Sequence, residues 1–129
     1  MPAITYTFTN AGHNLLRDGT EGANVPKVLY VALGSSNTAP AVGQTQLGNE
    51  LFRKAVSTYT NGANPGEIIF STYIAPTDAV GIDIEEVGWF GGNGALIYAN
   101  TGVLLARGLW SHNPKSSLES IQITLDLTI

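Results

Sequence analysis

Asp83, Glu85 and Glu86 lie close together in "GIDIEEVGWFGGNGALIYA", residues 81–99, beside Trp89 and ahead of a cluster of glycines. Two carboxyls set a fixed distance apart across a sugar are the machinery of glycoside hydrolysis. Glu85 and Glu86 are adjacent, so on a regular strand they point to opposite faces. Only a bulge, or Asp83 as partner, would bring two carboxyls together. The glycines suggest a phosphate cradle, but a dinucleotide fingerprint needs Gly-x-Gly-x-x-Gly and a P-loop needs Gly-Lys-Ser/Thr. Here Gly92 and Gly94 are followed by Ile97 where the third glycine belongs, and no Gly-Lys-Ser/Thr occurs. A tight turn accounts for such a cluster more simply.

His13 and His112 are the only histidines, and neither has a histidine at i+2 or i+4. A histidine metal site wants two or three such ligands with carboxylates at suitable spacing. The chain has no cysteine, which removes thiolate ligands and disulfides. No Gly-x-Ser-x-Gly elbow is present, and "GSSN" at residues 34–37 reads as loop. No catalytic, cofactor-binding or metal residue is therefore assigned, and the chain is expected not to be an enzyme. Trp89, Phe90 and Trp110 are the remaining candidates, either as core or as a stacking or contact face. Trp89 and Phe90 point opposite ways on a strand, so one is expected to leave the chain's own core. These three form the candidate subunit interface.

The elements that must position these residues read as strands. "ITYTFT", residues 4–9, alternates and is rich in β-branched and aromatic side chains. Asn10 then fits an N-cap for a short helix ending near Gly19, with Leu15 and Leu16 toward the core. "KVLYVALG", residues 27–34, is apolar on both faces, so cover is expected on both sides, from another sheet, a helix or a neighbouring subunit. Residues 45–50 read as a helical turn, and residues 52–60 as a strand. "NGANPG" then turns that strand into a hairpin with residues 67–75. Ile82 and Ile84 are apolar on one phase, Val87 and Trp89 on the other. A strand changes phase only through an extra residue, so a bulge is placed at Glu85–Glu86, with one glutamate inserted and both near solvent. "GGNG" reads as a hairpin turn and "ALIYA" as the returning strand. Residues 102–112 form a long strand with "NPKS" as its exit. Ile121, Ile123, Leu125, Leu127 and Ile129 alternate with polar residues in a closing half-buried strand. The pattern predicts a mainly β fold: one domain over residues 1–129, an antiparallel sandwich or barrel of seven or eight strands with one or two short helices.

With 129 residues the chain holds one core. Charged residues make up 12%, about half the usual ~25%. So neutral a surface favours a subunit in an assembly. The net charge is -4 and the six Lys and Arg are scattered, so no nucleic-acid partner is expected. "MPAITYTFTN" lacks a signal peptide's charged and apolar regions. Apolar runs fall far short of the roughly 20 residues of a helical span, so no membrane partner is expected.

Several segments together resemble small structural proteins of tailed bacteriophages. They are "FTNAGHNLLRDG", "KVLYVALGSSNTAPAVGQTQLGNELFRKAV", "YIAPTDAVGIDIEEVGWFGG", "TGVLLARGLW" and "LESIQITLDLTI". Their order, more than any one motif, carries the resemblance, and it covers nearly the whole chain. It implies a virion component assembled in the host cytoplasm, without cofactor, and most readily a capsid decoration (cement) protein. Such proteins commonly bind as trimers to the major capsid protein. The second half also resembles attachment domains of tail fibres. The alternative is therefore a tail-fibre, baseplate or carbohydrate receptor-binding component that contacts other tail proteins. Tail-fibre domains precede a long shaft, whereas this sequence stops at Ile129, which favours decoration. "MPAIT" offers no long arm, so a clasp onto neighbours is expected from loops.

Overall fold

The computed structural model describes residues 4–129. They form β1 (Tyr6–Phe8), α1 (Asn10–Thr20), β2 (Val28–Gly34), β3 (Glu50–Ala55), β4 (Thr58–Asn61), β5 (Glu67–Ile74), β6 (Ile84–Gly91), β7 (Val103–His112) and β8 (Ile121–Thr128). The strands make two antiparallel sheets, ordered β1-β7-β6-β2-β3 and β4-β5-β8. This is the expected sandwich, with one short helix. Its core lies between the sheets. Val31, Leu33, Val87, Trp89 and Leu105 of the larger sheet meet Phe70, Ile74, Ile123 and Leu125 of the smaller one. The alternation read in the last strand is borne out: β8 runs buried and exposed by turns, and pairs with β5 from Ile121↔Ile74 to Thr128↔Glu67.

Local chemistry moves several boundaries. The cap of α1 is Thr9, not Asn10. Its backbone is extended and its hydroxyl accepts from Gly12 N–H, so the helix begins one residue earlier than the asparagine suggests. Leu15 is buried and Leu16 only half-buried. A Cβ on Gly12 would stand 2.8 Å from the Leu105 Cα, so glycine lets the helix lie directly on β7. The first strand is also shorter than read. The strand expected at residues 52–60 is two strands in two sheets. Val56 N–H donates to Leu29 of β2, and Ser57 N–H to Ser71 of β5, so the chain changes partner between them. Pairing partners, not residue types, make that corner. The hairpin of β4 with β5 forms as expected. The reading of "MPAIT" concerns, for residues 1–3, positions outside the described residues.

Three expectations around β6 need correction. First, the register does shift between Ile84 and Glu86, but Ile84 pairs with His112 and Glu86 with Leu109. One residue of β6 thus faces two of β7, and the extra residue is on β7, not a glutamate. Second, Glu86 is fully buried rather than near solvent. Third, "ALIYA" is not a strand. Residues 92–102 form a loop, with positive φ at Gly92, Asn100 and Gly102, before β7 begins.

Candidate functional site

The outer face of the five-stranded sheet, away from the core, holds most of the buried charge. Glu86 on β6 meets Arg107 on β7, Nε to Oε1 at 2.9 Å, with both side chains sealed from solvent. Opposite Glu86 on β2 is Gly34, where a Cβ would come within 2.5 Å of the carboxylate. Residues 35–49 fold over this pair. The N–H groups of Ser36 (3.0 Å) and Asn49 (2.8 Å) donate to Oε2, and that of Gly48 (2.8 Å) to Oε1. Arg107 donates in turn to the carbonyls of Thr38 at 2.7 Å and Ser36 at 3.2 Å. The helical turn expected at residues 45–50 does not form, because Gly48 and Asn49 N–H groups serve the carboxylate instead of a helical ladder. The carboxylate thus accepts from four donors, all of them inside the protein.

A second buried pair sits beside the first. Glu50 and Arg53 on β3 form a two-point pair, at 2.8 and 2.9 Å, with side chains 1% and 2% exposed. The Arg53 guanidinium lies over the Phe90 ring, 4.3 Å from its centre. It also donates to the carbonyls of Leu96 (2.8 Å) and Thr101 (2.9 Å). The Thr101 hydroxyl accepts from Leu96 N–H at 3.0 Å and donates to the Tyr98 carbonyl at 2.7 Å. These bonds fold residues 92–102 into a fixed tip. They explain the missing strand, since its backbone groups are satisfied inside the loop. The tip presents Leu96, Ile97 and Tyr98 to solvent at 51%, 55% and 70% exposure.

The other sequence candidates are scattered. Glu85 is half-buried and accepts from Asn113 Nδ2 at 2.6 Å, and Asp83 is exposed. No pair of carboxyls assembles there. Trp89 and Phe90 do point opposite ways, yet both are 0% exposed. Trp89 enters the core against Phe70, and Phe90 is covered by Leu47, Leu104 and Arg53. The expectation that one of them leaves the chain's own core is therefore corrected: the covering loops supply what a neighbour would have. Trp110 is half-buried and stacks on His112, 5.0 Å between rings. His112 contacts Glu119 at 2.8 Å, and His13 is exposed on α1. Lys115 is buried and binds the carbonyls of Ala75, Pro76 and Ser116. Glu50, Arg53, Arg107 and the tip were not singled out from sequence. Their signal was a charge embedded in an apolar strand, as in "ELFRKA" and "GVLLARGLW". Comparison with known families, curated proteins and solved structures found no match.

Proposed function

We propose that the chain is a non-enzymatic structural protein of a tailed-bacteriophage particle, a decoration (cement) protein that binds the head surface and stabilises it. The observation that carries this reading is the tip of residues 96–98. Three large apolar side chains are exposed on a loop that two buried residues, Glu50 and Arg53, hold in place. Exposed apolar surface on a rigid mount loses little conformational entropy when covered, which is the design of a contact surface. The segments that carry the phage resemblance support it from another side. "LGNE", Glu86 and Arg107 converge on the charged frame under the covering loops. The partner on this reading is the major capsid protein, and the protein acts as a trimer at the shell.

Binding to the assembled lattice, and not to free subunits, stabilises the lattice by mass action, about 4 kcal/mol per site at a thousandfold excess over Kd. Heads stripped of the protein should therefore disrupt at a lower temperature, and adding it back should restore the original one. The contact is largely neutral, so this should depend weakly on salt. Normal heads with missing or non-adsorbing tails in a deletion, and no change in disruption temperature, would place the protein in the tail instead.

A further inference from the structure

Asn61 and Asn93 are each followed directly by glycine, and both are exposed. Such a pair can modify itself, since asparagine is among the thermally labile residues. The glycine amide nitrogen loses its proton and attacks the side-chain carbonyl carbon of the asparagine. The bond to the side-chain nitrogen breaks, ammonia leaves, and a cyclic imide remains. Water then opens the ring. Opening on the side-chain carbonyl gives aspartate. Opening on the main-chain carbonyl gives isoaspartate, whose backbone runs through the side-chain carbon. The attacking N–H must be free of other partners and able to turn onto the side chain. The two dipeptides are identical, so any difference between them comes from the fold.

The fold holds the first pair and leaves the second open. Asn61 ends β4 opposite Ile68 of β5, and the Gly62 N–H donates to the Glu67 carbonyl at 2.9 Å. The Glu67 side chain also packs against Gly62. Attack there must first open the end of the hairpin. Asn93 and Gly94 take the two central positions of a tight turn, closed by the Ala95 N–H on the Gly92 carbonyl at 3.2 Å. The Asn93 N–H donates to Asn24 Oδ1 at 2.9 Å, which anchors its backbone and not its side chain. Among the described residues, neither the Gly94 N–H nor the Asn93 side-chain amide has a hydrogen-bond partner. A Cβ on Gly94 would stand in open space. The bonds that fix the tip run between Glu50, Arg53 and residues 96–101 and do not reach Gly94.

We propose that Asn93 is a site of spontaneous modification, converted with water to aspartate and isoaspartate, while Asn61 is protected. Conversion adds a negative charge to the loop that carries Leu96, Ile97 and Tyr98, and isoaspartate adds a main-chain carbon beside the Asn24 anchor. The inference does not depend on the proposed function. It is tested by incubating the intact chain at mildly alkaline pH and following both asparagines by peptide mass spectrometry. Isoaspartyl methyltransferase labelling separates the two products. In the folded protein Asn93 should convert at least about tenfold faster than Asn61, and in urea the two rates should converge. Gly94→Ala, whose methyl group meets open space, should slow Asn93 about tenfold, because a Cβ restricts the turn that the attacking nitrogen must make. An Asn93 that stays unconverted, an Asn61 that converts as fast in the folded chain, or an Asn93 rate untouched by Gly94→Ala would each overturn the inference.

Discussion

Glu86 answers to three loop N–H groups as well as to Arg107, and that makes a distinctive prediction. Removing one partner of a buried pair typically costs about 3–5 kcal/mol, because a charge is left without compensation. Glu86→Gln should destabilise the protein by roughly that amount in denaturant unfolding. In many proteins an apolar replacement of both partners recovers the loss. Here Glu86→Leu with Arg107→Met should not, since the N–H groups of Ser36, Gly48 and Asn49, which point inward at the carboxylate, would lose their acceptor. A double variant as stable as the wild type would show that the pair does not hold the loop. Two half-buried carboxyls contribute to the acid limb. Asp78 is lowered chiefly by its bond to Lys54, and Glu119 by the Ser116 N–H and then by His112. A depressed folded pKa contributes stability that is full above the unfolded value, roughly 4, and is lost as pH falls through the folded one. Asp78→Asn and Glu119→Gln should each lower stability at neutral pH and flatten the loss seen in acid titrations below about pH 4.

Among the elements, the loop of residues 92–102 is the one whose rigidity matters for the proposed contact. Thr101→Val removes the hydroxyl that joins Leu96, Tyr98 and Arg53 while keeping the side chain's shape. Amide exchange should quicken at residues 96–101 and stay unchanged in β6 and β7. Exchange that stays slow in the loop would mean the tip is held by something else. This element also marks where sequence reading stops. Strands such as β8 were legible because alternation is a local record of one buried face. The β4–β5 hairpin was legible from "NGANPG" for the same reason. The loop was not, because "ALIYA" has strand composition and its fold depends on Arg53, more than forty residues earlier. The same holds for the β3–β4 corner, which is decided by which sheet each backbone group joins. At the site, the phase change in β6 was readable, but the burial of Glu86 was not. That burial required knowing that residues 35–49 fold back over the sheet and that Arg107 lies on the neighbouring strand.

At the scale of the molecule, several charged side chains lie inside and several large apolar ones lie outside. Glu50, Arg53, Glu86, Arg107 and Lys115 have buried side chains that fasten loops to strands. The surface they leave is low in charge and carries the fixed tip of Leu96, Ile97 and Tyr98. Such a distribution fits the proposed contact role, and Leu47 and Arg53 cover the outer face of the sheet at Phe90 without requiring a neighbour. The most direct measurement is electron cryomicroscopy of the intact particle at a resolution that traces this chain. On the proposed reading the chain lies on the outer surface of the head, in threefold clusters, with residues 96–98 buried against a capsid or sister subunit. A particle in which the chain is absent from the head, or present there with residues 96–98 facing solvent, would contradict it.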